Sequence, residues 1–238
     1  MTQSATPQAL PIYVQISERL IREIAAGHIA DGARLPPERD MATELGVAVG
    51  TLRKALADLE AKGMLERIQG SGNYVRHRPQ VASVYAFFRL EKVGGGGLPT
   101  AEVLSVERME KPSNAPFFGL SGEGHRIRRL RHLDEDAIAV EEIWLDGGLR
   151  DHITRDDLSD SLYLYYREQL GVIVASVADE IGVGQVPEWA DPRFGLDSGQ
   201  ACGYIERVSW DSAGQPVEFS RTWFDNNKAR YMSRMGKG

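Results

Sequence analysis

Arg129 and Arg131 stand two residues apart in the stretch "GHRIRRLRHL". On an extended strand alternate residues share a face, so both guanidiniums point the same way. Two planar forks side by side make charge-assisted, bidentate contacts to a phosphate, sulfate or carboxylate. Glu141 follows in "AIAVEEIWL", across the polar turn "DED". If that hairpin is centred on Glu135, Arg129 falls directly opposite Glu141, and a cross-strand salt bridge accounts for both. The residues alone therefore allow two readings, an anion clamp and an ion pair internal to a hairpin. Ser161 opens the apolar stretch "SLYLYYREQLG", where its hydroxyl can cap a helix whose N-terminus favours anions.

A second constellation lies at 67–76, "RIQGSGNYVR". Gly70, Ser71 and Gly72 make a tight turn between arginines. A nucleotide-phosphate cradle needs its glycines between a strand and a helix; here a strand follows. An ordinary hairpin or a finger against DNA remains. Catalytic patterns are missing. No nucleophile–base motif occurs; a paired Glu141 and Glu218 could serve acid–base chemistry, but nothing in the sequence fixes their separation. With one cysteine, Cys202, and no close i, i+4 histidine pair, no metal site or cofactor is expected.

The elements around these residues fall into two groups. Ile16, Leu20, Ile21 and Ile24 recur at helical spacing, with Pro11 ahead and Gly27 behind. "ERDMATELG" reads as a short helix. "VAVGTLRKALADLEAKG" reads as a longer one, with Leu52, Ala55, Leu56 and Leu59 inward. "MLERI" and "NYV" then flank the glycine turn as a hairpin. Helix, turn, helix and hairpin in that order describe a winged helix-turn-helix, whose second helix enters the major groove. Gly50, Thr51, Arg53 and Lys54 lie on or beside the outward surface of that helix. Beyond the linker "HRPQVASV", alternating strand patterns dominate: two hairpins, at 124–145 and 201–224, and one helix. "GGGG" at 94–97 reads as a loop. "PFFGL" at 116–120 recurs as "PRFGL" at 192–196, and Glu141 and Glu218 hold matching places in the two hairpins, which suggests a duplicated unit forming one sheet.

The stretch from Leu35 to Val75 resembles the DNA-binding module of GntR-family bacterial transcription regulators, with "LPPER" at 35–39 in place of the family's Leu-Pro-Ser-Glu-Arg. The resemblance implies DNA contacts at Arg39, Thr51, Arg53 and Gly70; Lys54, Ser71 and Gly72 join them by position. Ala48-Val49 replaces the usual Ser-Arg pair. The second half resembles the UTRA effector-binding domain of the HutC branch of that family, through "RLR" at 129–131, Glu141, "SLY" at 161–163 and "PVEFSRTWF" at 216–224. That resemblance implies a fold related to chorismate lyase. It also implies that Arg129, Arg131 and Ser161 hold an anionic group while Glu141 and Glu218 hold hydroxyls or amines. Phe224 stands where many relatives have a tyrosine, and Ala137 where proline is common.

The expectation is an α+β protein: a winged helix-turn-helix over 1–76, a linker over 77–84, and a chorismate-lyase-like antiparallel β-sheet domain with helices over 85–238. The expected function is a transcription regulator, a repressor and homodimer. It would bind palindromic operator DNA and respond to a small anionic effector: a sugar phosphate, phosphonate, carboxylate or sulfonate. The alternative is a lyase-like enzyme fused to a DNA-binding head. The net charge of −6 is unevenly spread, near +1 over residues 1–78 and −7 beyond, and after Glu66 the first segment has Arg67, Arg76 and Arg78 with no acid. A local basic edge is what phosphate contact requires. The cysteine usage fits a reducing cytoplasm, the opening residues lack signal-peptide character, and no apolar run reaches the ~20 residues of a membrane span.

Overall fold

A computed structural model describes residues 10–25, 27–76, 85 and 87–233. The chain divides into two compact units: a head, Leu10–Leu98 with the chain from Tyr231, and a sheet unit, Pro99–Arg230. The expected linker at 77–84, with Arg78, lies outside the described residues.

Three helices build the head: α1 (Ile12–Ala25), α2 (Glu38–Glu44) and α3 (Val49–Ala61). The periodic apolar residues meet in one core, Ile16, Leu20, Ile21 and Ile24 of α1 against Met41 and Ala42 of α2 and Leu52, Ala55, Leu56 and Leu59 of α3. The chain leaves α2 through Gly46 (φ 65°) and α3 through Gly63 (φ 71°), left-handed positions that glycine takes without a Cβ penalty. Strands β1 (Leu65–Ile68) and β2 (Gly72–Val75) pair antiparallel from Leu65↔Val75 to Ile68↔Gly72. The segment before α2 also joins this hairpin. The Leu35 amide donates to the Asn73 carbonyl at 2.9 Å, and the Val75 amide to the Ala33 carbonyl at 2.9 Å. The wing is thus broader than the two strands expected. A short strand, β3 (Leu90–Lys92), and the glycines 94–97, all at positive φ, complete the unit.

The sheet unit holds β4 (Pro99–Glu110), β5 (Glu123–Leu133), β6 (Asp136–Asp146), β7 (Val174–Gln185), β8 (Ala201–Asp211) and β9 (Pro216–Phe224); β10 (Ala229–Tyr231) follows. The six long strands form one sheet in the order β4-β5-β6-β9-β8-β7. Each half is a three-stranded meander, and the two halves join where β6 meets β9, which gives the repeated sequence motif a topological counterpart. Glu141 and Glu218 fall on the same face, because Glu218 lies opposite Leu145, four residues beyond Glu141. That face is covered by the stretch from Ile153 to Leu170, including α4 (Leu162–Tyr165), which widens into a π turn over Tyr166–Leu170. Ile127, Ile143, Leu145, Leu162 and Tyr166 form the core between them.

Candidate functional site

On the head, burial of one face of α3 turns Arg53 and Lys54 outward and leaves Thr51 half-buried. Arg53 donates through Nε to Glu38 Oε2 at 2.6 Å, from the first residue of α2. This pair is exposed and contributes little to stability. It engages Nε alone: the Arg53 side chain is 64% exposed, and the N–H groups of its terminal nitrogens have no partner among the described residues. Arg39 on α2 and Lys54 have no carboxylate partner among the described residues, and neither has Arg34 beside the wing.

The two wing glycines differ in what requires them. Gly70 sits at φ 75° with open space around it. Gly72 sits at φ 135°, and a Cβ there would lie 2.9 Å from Arg34 Nε. Ser71 Oγ and Tyr74 Oη are bonded at 2.7 Å, so the serine braces the turn. The basic edge expected from Arg67 and Arg76 is partly neutralised. Arg67 pairs with Glu60 at 3.1 Å, and Arg76 pairs with Glu66 across the hairpin. These acids precede the arginines in sequence and meet them only through folding.

In the sheet unit Leu133 lies opposite Asp136 at the turn, and beyond a register shift between Arg131 and His132 the pairing becomes the one centred on Glu135, with Arg129 opposite Glu141. Arg129 Nε and Nη2 reach Glu141 Oε2 at 3.0 and 2.7 Å. Arg131, one row along, reaches the same carboxylate diagonally, Nε to Oε1 at 3.3 Å and Nη2 to Oε2 at 3.1 Å. All three side chains are buried. Burial pushes the Glu141 carboxyl up, but the charges and hydrogen bonds of Arg129 and Arg131 prevail and hold it at about 2. Both arginines also donate through Nη1 to the Asp160 carbonyl, at 3.4 and 3.3 Å. Asp160 is itself anchored, its Oδ1 accepting the Ala101 amide of β4 at 3.2 Å. The next residue, Ser161, caps α4 by accepting the Leu164 amide at 3.3 Å. The α-helical part of α4 is one turn, so its dipole adds less than the sequence pattern promised.

The fold therefore brings Arg129, Arg131, Glu141 and Ser161 together. Of Arg129's five N–H groups, the ion pair and the Asp160 carbonyl engage three, leaving two donors with no partner among the described residues. Phe224 shares a row with Arg131, separated by the small Ala139. Its ring lies over Gly203, where a Cβ would come within 2.2 Å.

Glu218 stands apart from the arginines. Its carboxylate accepts Tyr166 Oη at 2.6 Å, Ser209 Oγ at 3.0 Å and Tyr163 Oη at 3.1 Å. Burial raises its pKa despite those donors. Four residues along a strand span roughly 13 Å, so Glu141 and Glu218 are not placed to work on one bond as an acid–base pair. Sequence reasoning missed the hydroxyls of this cage and the neighbouring Arg207–Asp179 pair, whose shorter contacts are 2.6 and 2.7 Å. The alternating polar residues of β8 were the available signal.

Comparison with known proteins agrees with both units. Residues 12–75 match the model for bacterial regulatory proteins of the gntR family, and residues 95–230 match the UTRA domain. The chain is 55% identical over 230 residues to the HTH-type transcriptional regulator SmoD of Agrobacterium fabrum, covering 97% of this chain and 98% of that protein. It is 27% identical over 228 residues to the mannosyl-D-glycerate transport/metabolism system repressor MngR of Escherichia coli, covering 93% and 94%. Among solved structures, YydK of Bacillus subtilis shares the fold with a TM-score of 0.53 at 21% identity, covering 95% of this chain and all of that one. Among the described residues no helix is long and apolar enough to cross a membrane. The chain belongs to the GntR family of bacterial transcription regulators, a DNA-binding regulator that carries a UTRA domain.

Proposed function

We propose that the chain is a homodimeric repressor whose hold on a palindromic operator is released by a small anionic metabolite. The observation that carries the effector reading is the convergence of two buried guanidiniums beneath Asp160 and Ser161, with two N–H donors of Arg129 left over. A buried cation with spare donors is costly unless an acceptor meets it. A phosphate, phosphonate, sulfonate or carboxylate supplies one, with Ser161 beside it. Thr222, opposite Glu141 in the register, and Phe224 lie beyond. Glu141 keeps a structural share in the site as the arginines' counter-ion. Glu218 is closed in by three hydroxyls, which argues against direct contact with the ligand.

On the head, Arg39, Thr51, Arg53 and Lys54 approach the major groove, and Gly70, Ser71 and Gly72 approach the backbone. Two named relatives are repressors, MngR and the probable fructoselysine utilization operon transcriptional repressor of Escherichia coli, which favours repression over activation. A ligand shifts DNA affinity only by binding one conformation better than another. The proposed route between the units is the stretch 77–84. A thermal-shift screen of anionic metabolites tests the effector reading. A true effector at 100 times its dissociation constant stabilises wild type by about 2.7 kcal/mol and Arg129→Ala much less. Equal stabilisation of both proteins by every binder refutes the site.

A further inference from the structure

The arginines at the two ends of the wing hairpin are both engaged. Arg67 pairs with Glu60 at 3.1 Å and Arg76 with Glu66, while the tip from Gln69 to Gly72 carries no charge. Beside that tip stands a third arginine that belongs to neither strand of the hairpin. Ala33 and Leu35 bond to β2, Arg34 bridges to Tyr74 between them, and Leu35 is buried in the core of the head. Neighbours on an extended segment point to opposite sides, so Arg34 turns outward, onto the face that Tyr74 and Gly72 share. It is exposed, and its guanidinium has no partner among the described residues. A Cβ on Gly72 would lie 2.9 Å from Arg34 Nε, 3.5 Å from Nη2 and 3.6 Å from Cζ. The guanidinium therefore lies along the wing face, over Gly72, rather than projecting from it. This contact gives Gly72 a reason within the protein: a side chain there would push the arginine aside.

We propose that Arg34 is the wing's charge contact to the DNA backbone. An unpaired guanidinium meets a phosphate with two parallel N–H donors, whereas Arg67 and Arg76 would first have to leave their carboxylates. Because the Arg34 fork lies flat, it meets a backbone that runs against the wing and does not reach into a groove. Such a contact fixes position and carries no base information. The inference rests on the reading that the wing lies against DNA, and it names the charge the wing uses there.

The test uses the full chain and, as probe, the duplex that wild type enriches from a random-sequence pool. Affinity is followed by fluorescence anisotropy as salt is raised. Arg34→Gln, checked for folding by circular dichroism, should bind more weakly, with a log–log salt slope shallower by roughly 0.9. Arg34→Lys keeps the charge and should keep the wild-type slope. Single base changes in the probe should weaken wild type and Arg34→Gln by the same factor. An unchanged slope in Arg34→Gln, a slope that lysine fails to restore, or a base preference that disappears with Arg34 overturns the phosphate contact. Arg53→Ala on the same probe separates the two levels: if it weakens binding while Arg34→Gln does not, Arg34 alone is misassigned, and if neither does, the reading of the head's contacts falls as well.

Discussion

Replacing Glu141 by glutamine keeps the side-chain shape and removes one charge from beneath two buried guanidiniums. A carboxyl moved from an ordinary 4.5 to about 2 on folding contributes about 3 kcal/mol at neutral pH. Breaking a buried ion cluster by deleting one partner costs about 3–5 kcal/mol, which agrees. For a chain of this size about 3 kcal/mol corresponds to roughly 6–12 °C in Tm. Because the folded pKa lies below the unfolded one, this contribution is fully present above 4.5 and is lost as pH falls towards 2. The assay is thermal unfolding of wild type and Glu141→Gln across that range at low salt. The variant should melt lower at neutral pH, and the gap should narrow as pH drops below 4.5. Added sulfate or phosphate should recover more stability in the variant than in wild type, since an anion can replace the missing charge. A variant that melts with wild type at neutral pH, or a gap that stays constant into acid, refutes the reasoning.

Three further outcomes follow from the geometry. Arg53→Ala should fold normally, because its ion pair with Glu38 is exposed, yet lose about 1–3 kcal/mol of operator affinity if Arg53 reads a base; loss of a phosphate contact would instead lower the salt slope by roughly 0.9, and salt-titrated gel shifts separate the two. Gly70→Val forces a β-branched residue to φ 75° and should weaken operator binding with effector binding intact, measured by fluorescence anisotropy and calorimetry. Tyr166→Phe removes the 2.6 Å hydroxyl from Glu218 and should cost about 1–3 kcal/mol at neutral pH. Since burial already raises Glu218, the extra cost should fade in acid, where the carboxyl is protonated in both proteins, as chemical denaturation over pH would reveal.

The head was legible because local signals agree with the global fold: glycines stop α2 and α3 where the apolar periodicity ends, and a hairpin follows. The Arg129–Glu141 pairing was legible only in its outcome: the two-residue turn sets Leu133 opposite Asp136, and a register shift between Arg131 and His132, which no residue pattern announced, moves the pairing by one so that Arg129 meets Glu141. The edge strands were not. β4 breaks its alternation at the irregularity after Val103. β7 is rich in small and polar residues with neither face deeply buried, so it lacks the period-two pattern that marks a half-buried strand. Glu218's environment was hidden because Tyr163 and Tyr166 come from a segment more than fifty positions away in the chain. The ion pairs of Arg67 and Arg76 show how a run of basic residues loses charge to acids that precede it.

The central claim is that Arg129 and Arg131 hold the anion that releases the operator. Operator binding, titrated with an effector found by the screen, tests it most directly in wild type, Arg129→Ala and Arg131→Ala. A coupling of about 1–3 kcal/mol, or roughly 5–150-fold in affinity, is expected in wild type. Both variants should bind operator as wild type does and stay bound as effector rises, with Arg129→Ala also less stable through loss of its Glu141 bridge. Release of both variants at wild-type effector concentrations would contradict the account and reduce the two arginines to a cross-strand brace.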